Sequence, residues 1–272
     1  MVCERSGGSN MSRGSGIWVA AITLGVGMSL LAGCAQQPVA GPSVNLSQGF
    51  SAYESRDFSQ ATQIAREYIS ANPDGSQLDD AYYLLGISHE TQGQFHRARH
   101  DFNRAIALTH RDSLKEKANK ALGDMAFAKA HYGQAASYYQ IAINSMNGAT
   151  PPASMLFKYG AALQNSGHWN QARSPLAQAV SDAPGTTAAS NAEQRLEADH
   201  FALQYGAFLI SAAAWQVVGQ LRSAGVAAVV VPSVVGGRTL YLVQSGQYNT
   251  LAAALAARTV ASHQYPQVIV VP

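Results

Sequence analysis

Two cysteines, eight histidines and sixteen carboxylates are the side chains from which this 272-residue chain could build reactive chemistry. Cys34 stands out among them, because a thiolate is a strong nucleophile and this one follows the small residues of Leu31-Ala32-Gly33. His96 and His100 lie four apart and could share a helix face, but no third ligand stands near them, and a zinc site needs at least three. Glu90 and Asp101 read as single carboxylates on solvated helix faces, not as a paired acid and base. Gly25-x-Gly27 falls in an apolar leader, and Ser245 lacks the strand-turn-helix setting of an activated serine. The residues therefore predict no enzyme, no metal and no cofactor.

The first 34 residues read as a leader. Arg13 supplies a positive start, an uncharged apolar run extends from Gly14 to Ala32, and small residues precede Cys34. Met11 serves as a start as well as Met1 does. Leu31-Ala32-Gly33-Cys34 resembles the lipobox of bacterial lipoproteins in all four positions. The resemblance implies a diacylglycerol thioether on Cys34, acylation of the new N-terminus, and a periplasm-facing protein held in a membrane by lipid. An Asp after the cysteine would resemble an inner-membrane retention signal; Ala35 stands there instead, which favours the outer membrane. Cleavage before Cys34 removes Glu4, Arg5 and Arg13, which takes the formal charge from +2 to +1, and leaves no free thiol and no disulfide, so packing alone must hold the fold. The near-neutral balance excludes a general nucleic-acid binder. Residues 35–47, polar and containing Pro38, Gly41 and Pro42, read as a tether.

The middle of the chain repeats. Gly49, Gly86, Gly123 and Gly160 follow one another at intervals of 37, as do Ala61, Ala98, Ala135 and Ala172. An aromatic stands three residues before each alanine: Phe58, Phe95, Tyr132 and Trp169. Within a unit the apolar residues recur at helical spacing on either side of a turn such as Gly93-Gln94-Phe95, which predicts two antiparallel helices per unit. Small residues let the helices approach, the aromatic is expected to fill the wedge between pairs, and the pairs must stack to bury their apolar faces. Tyr82-x2-Leu85-Gly86-x2-His89, continuing through Gly93, Phe95, Ala98, Phe102 and Ala105, resembles the tetratricopeptide repeat, whose usual period is 34. The three extra residues are assigned to links such as Asp74 to Gln77 and Asn147 to Pro151. Pro175 is expected to kink the last second helix, and residues 186–198 to form a solvating cap. The resemblance implies a groove lined by first helices, with Leu46, Phe50, Tyr53, Tyr83, Ile87, Lys120, Phe127, Phe157 and Lys158 facing a protein partner.

After Asp199 the pattern changes to strand, helix, strand, strand, helix, strand: Phe201 to Phe208, Ile210 to Ala224, Val226 to Pro232, Arg238 to Ser245, Tyr248 to Ala261 and Val268 to Val271. That order predicts a four-stranded antiparallel sheet with helices on one face and the other face open. Gln204-x-Gly206-Ala207-Phe208 and Tyr241-x-Val243-x-x-Gly246-x-Tyr248 resemble the sporulation-related repeat (SPOR) domain. The resemblance implies binding to peptidoglycan glycan strands stripped of their stem peptides. If Leu203, Tyr205 and Ala207 pack under the helices, Gln204 and Gly206 face outwards. If Tyr241 and Val243 pack, Leu240, Leu242 and Gln244 face outwards, and Tyr265 could add an aromatic. Family members often carry arginine where Leu242 and Gln244 stand.

The expected organisation is a leader (1–34), a tether (35–47), a helical-repeat solenoid with its cap (48–198) and a small α+β domain (199–272). The expected function is an envelope lipoprotein that grips glycan with its C-terminal domain and recruits a protein partner with its repeats, in cell division. The alternative is an assembly scaffold for outer-membrane or secretion machinery, acting through protein contacts alone.

Overall fold

The computed structural model describes residues 44–272. Cys34, the leader and residues 35–43 of the expected tether lie outside the described residues. Four helix pairs come first: α1 (Leu46–Glu54) with α2 (Phe58–Ala71), α3 (Leu78–Thr91) with α4 (Phe95–Leu108), α5 (Asp112–Ala128) with α6 (Tyr132–Asn144), and α7 (Ala153–Asn165) with α8 (Trp169–Asp182). The first helix opens at Leu46, inside the stretch expected as tether. Its N-cap is Asn45, whose side chain accepts from the Ser47 amide. A ninth helix, α9 (Thr187–Leu196), covers the end of the stack.

The 37-residue columns have physical causes. Ala61, Ala98, Ala135 and Ala172 are fully buried where the paired helices cross. A Cβ on Gly86 would meet the Phe102 ring at 2.6 Å, one on Gly123 the Tyr139 ring at 2.8 Å, and one on Gly160 the Leu176 side chain at 2.6 Å. Each glycine therefore seats a large residue from the second helix of its own pair. The turn between the helices needs one left-handed residue per unit, at Arg56, Gly93, Ala130 and Gly167. Two of the four carry a Cβ there, a strained choice. The aromatic column does not behave as expected throughout. Phe58 packs on Tyr53 and Tyr132 on Phe127, each within its own pair and not between pairs, and Phe95 is 40% exposed, with the Lys129 ammonium over its ring. Helix α8 runs on through Pro175, which lies inside it as expected.

First helices touch one another in succession, α1 with α3, α3 with α5 and α5 with α7, whereas second helices of neighbouring pairs do not. The first helices therefore line the inner face of the stack.

The C-terminal region contains β1 (Phe201–Phe208), α10 (Ser211–Ser223), β2 (Ala228–Val235), β3 (Arg238–Tyr248), α11 (Leu251–Ala261) and β4 (Ile269–Val271). The sheet is antiparallel in the order β2-β3-β1-β4. Strand β2 runs past Pro232 to Val235, and it is an edge strand, where a proline is tolerated. Leu203, Tyr205, Ala214, Val218, Leu221, Ala228, Val243 and Val268 form the core between helices and sheet.

This region packs directly on the last repeat. Trp169, the aromatic-column residue of that repeat, stands edge-on to Phe201 at 4.9 Å, and its indole N–H donates to the Asn249 carbonyl at 2.8 Å. Ala254 completes the contact. A Cβ on Gly167 would meet the Asn249 side chain at 2.6 Å, so a glycine is required there for closeness as well as for its φ of 91°.

Candidate binding surfaces: the open sheet face and the first-helix face

The sheet face is decided by strand register. Gln204 pairs with Gln244, but the next pairs are Gly206 with Val243 and Ala207 with Leu242, so Tyr205 is the extra residue of a β-bulge. A compensating irregularity on β3 falls between Ser245 and Tyr248, where Gly246 takes a φ of 78°. The bulge changes which residues face outwards. Gly206 lies opposite the fully buried Val243, and a Cβ on it would meet the Phe208 ring at 2.7 Å. Gly206 is thus on the covered side, contrary to the simple alternation expected of β1, and the exposed Ala207 takes the open side opposite Leu242. Tyr265 is likewise on the covered side, edge-on to Tyr205 at 5.3 Å. Gln204, Leu240, Leu242 and Gln244 share the open face as expected.

Register adds residues that the sequence reading missed. Val229 stands opposite Gln244, Val231 opposite Leu242, and Ile269 opposite Gln204. Val229 and Ile269 are 52% and 47% exposed. Period-two alternation along β2 was the available signal. The Gln244 amide donates to the Gln204 side-chain oxygen at 3.4 Å, which leaves both Gln204 amide N–H groups, the second Gln244 N–H and the Gln244 side-chain oxygen for a ligand at the centre of the face. Among the described residues, Arg238 at the hairpin end is the one charged side chain in this register. The face can hydrogen-bond and pack flat apolar surface, with little charge.

The first-helix face collects the other expected residues except Leu46, which is buried in the core of the first two repeats. Tyr53, Tyr83, Ile87, Phe127 and Phe157, together with Phe50, are all partly buried, each packed at one edge of a core cluster. They serve as packing and as surface at once. Lys120 and Lys158 converge on Asp124, at 2.9 and 2.6 Å, and the Tyr139 hydroxyl donates to the same carboxylate at 2.8 Å. Burial opposes the Asp124 charge, but these three hydrogen bonds outweigh it and hold the carboxyl below its usual range. Asp124 occupies the column of Phe50 and Ile87, a periodicity that could have found it.

Glu90 was expected on a solvated face. It is partly buried, in the column of Tyr53 and Phe127, and burial followed by the Asp124 charge pushes its carboxyl up against the pull of Lys120 and Lys158. Burial, then Tyr53, Glu90 and Glu116, push the Tyr83 phenol up to about 12. At the last repeat Gln164 holds this column, and α9 covers it: the Gln164 amide donates to the Arg195 carbonyl, and the Arg195 guanidinium donates back to Gln164 and Asn165. The face is closed at that end.

Asp101 is also not solvated. It is buried, accepts from His89 Nδ1 at 2.6 Å, and contacts His100 at 3.1 Å. Arg66 reaches His89 Nε2 at 3.2 Å, so both ring nitrogens are occupied and no substrate can meet them. The network ties the first repeat to the second. His100 is engaged with Asp101 instead of pairing with His96, and among the described residues no group of His, Cys, Asp and Glu could hold a metal ion. No described helix is long and apolar enough to cross a membrane.

Comparison with known proteins finds two families in the chain. The family profile of the SPOR domain matches residues 197–272, and that of the tetratricopeptide repeat matches residues 79–112. A SPOR domain suggests peptidoglycan binding and an envelope protein, and tetratricopeptide repeats suggest protein–protein interaction; both are binding modules. No curated protein matches the chain by sequence. Among solved structures, the crystal structure of MamA matches at 20% identity over 54% of this chain and 80% of that one, with a TM-score of 0.45. YrrB, described as a TPR protein with an unusual peptide-binding site, matches at 18% identity over 53% and 70%, with a TM-score of 0.43. A thermophilic TPR protein of Thermus thermophilus matches at 18% identity over 82% and 90%, with a TM-score of 0.36.

Proposed function

We propose that this chain is a non-enzymatic lipoprotein of the bacterial envelope that reads peptidoglycan with its C-terminal sheet and holds a protein partner on its repeats. The observation that carries the reading is the SPOR match over a sheet whose open face centres on the Gln204–Gln244 amide pair, flanked by Val229, Val231, Leu240, Leu242 and Ile269. A glycan strand with its stem peptides removed is an extended, largely uncharged chain. It offers hydroxyl and acetamido groups to amides and flat apolar faces to aliphatic side chains. Leu242 and Gln244, where the family often has arginine, make this an uncharged version of the site. The division into leader, tether, repeats with cap, and glycan-binding domain belongs to the same proposal, with boundaries at 34 and 198 and with the tether ending before the Asn45 cap of the first helix.

The lipid on Cys34 would hold the chain to a membrane, the outer one on the sense of Ala35, while the sheet grips the wall. A role at the division site follows if glycan is bared there. Incorporation of labelled palmitate that disappears in Cys34→Ala tests the anchor.

The central test is co-sedimentation of the chain with purified sacculi, before and after amidase treatment, beside Gln204→Ala. Binding that rises with amidase and falls with the substitution supports a reader of bared glycan. No sedimentation in either state sinks that reading and favours the scaffold alternative, for which the apolar Val229, Val231 and Ile269 would be a protein contact.

A further inference from the structure

Along the first-helix face Glu90 stands on α3 and Lys158 on α7, with Glu116, Lys120 and Asp124 between them on α5. Toward the first two repeats it presents Tyr53, Tyr83 and Glu90, with Glu116 beside them on the next first helix. Among the described residues, neither glutamate side chain makes a hydrogen bond or ion pair, although Glu90 is partly buried. Toward the last two repeats it presents Lys120 and Lys158, both drawn to the single carboxylate of Asp124. Two ammonium groups share the one carboxylate of Asp124, and each spends one of its three donors there, so both keep donors for a further carboxylate; Glu90 feels their charge but makes no ion pair with them. The two halves differ in chemistry as well as in sign. The first offers carboxylates beside phenol rings, which suits a cation that can rest on an aromatic face. The second offers ammonium donors, which suits a carboxylate.

We propose, building on the reading that the repeats hold a protein partner, that the bound segment is an extended peptide carrying a basic side chain for Tyr53, Tyr83, Glu90 and Glu116 and an acidic one for Lys120 and Lys158. The basic residue lies on the side of the first repeat and the acidic residue on the side of the last. Neighbouring helices pack about 9 Å apart, and an extended chain covers that distance in about three residues. The two charged residues of the peptide are therefore spaced roughly two to four apart. A cation brought to Glu90 restores the solvation that burial removed, and a carboxylate brought to the lysines takes up the donors they keep. A peptide with the charges reversed meets like charge at both ends, so the groove selects direction as well as composition.

The test is selection of a phage-displayed random decapeptide library on the full chain. Peptides that are enriched should carry Arg or Lys and, two to four residues away in one constant direction, Asp or Glu. The best of them is then synthesised with its basic residue changed to Ala, and both forms are titrated against the wild type and Glu90→Gln. The Ala change should weaken binding to the wild type about tenfold and to Glu90→Gln by no more than about twofold. Lys120→Gln with Lys158→Gln should do the same for the acidic residue. Enriched peptides without the charge pair, or an Ala change that costs as much in Glu90→Gln as in the wild type, would overturn the assignment while leaving a peptide groove standing. A library from which nothing is enriched would overturn the groove reading itself, and this inference with it.

Discussion

Trp169→Ala should uncouple the C-terminal domain from the repeats. Trp169 is 7% exposed, and its ring meets Phe201, which is 1% exposed, at 4.9 Å. A buried tryptophan removes on the order of 200 Å² from water, and at about 25 cal/mol per Å² that amounts to at most about 5 kcal/mol. Part of this belongs to packing within the repeat. The part that crosses the boundary contains the aromatic pair, about 0.5–1.5 kcal/mol beyond area, and the indole hydrogen bond to Asn249, about 1 kcal/mol net. Urea unfolding followed by circular dichroism should show one transition for the parent chain and two for Trp169→Ala, because the interface no longer makes unfolding of one part costly to the other. Trp169→Phe keeps a ring against Phe201 and loses only the N–H donor, so it should keep a single transition and lose about 1 kcal/mol. A double-mutant cycle with Phe201→Ala, with stability from the same unfolding curves, should give a coupling of about 1 kcal/mol. A coupling under about 0.3 kcal/mol would refute the reasoning, since independent sites add within that margin.

Three further outcomes follow from residues at the turns and faces. Ala130 is left-handed and Gly133 is a helical glycine with open space at its Cβ position, so Ala130→Gly and Gly133→Ala, opposite changes three residues apart, should each raise stability by about 0.5–1 kcal/mol in urea unfolding. The Tyr83 phenol is raised from 10.0 to about 12, so it favours the folded state fully below the ordinary value. That contribution is lost as the pH rises through the window between the two values, and Tyr83→Phe should flatten the alkaline loss of stability across it. Sacculus binding through the Gln204 face should change little between about 0.05 and 0.5 M salt, because screening acts on charges and this face has almost none. A steep fall with salt in co-sedimentation would move the contact to Arg238 or off the sheet.

The repeat was legible because its period is a covalent spacing. Gly86, Gly123 and Gly160 recur where Phe102, Tyr139 and Leu176 need room, and both members of each pair sit in the same unit at the same separation. The columns that line the first-helix face could be read for the same reason, and Asp124 was missed only because one unit puts a charge where others put Phe50 and Ile87. Asp101 and His89 were harder. They are twelve residues apart on opposite helices of one pair, and Arg66 reaches them from the preceding unit, so no single-helix spacing reveals that they are buried together.

In the C-terminal domain, alternation placed Gln204, Leu240, Leu242 and Gln244 on one face and failed one residue later. Gly206 went to the wrong side because a bulge at Tyr205 resets the alternation, and a bulge is a relation between two strands that neither strand states alone. Tyr265 lies between α11 and β4, where no alternation applies, and its side is decided by packing on Tyr205. Trp169 shows the same division. The sequence by itself determined that an aromatic stands there, as at Phe58, Phe95 and Tyr132, since local helix-pair packing repeats with the chain. Only the tertiary structure decided that this one leaves the pattern to hold Phe201 and Asn249. Periodicity records what each unit does for its neighbour, and the last unit has a neighbour of another fold.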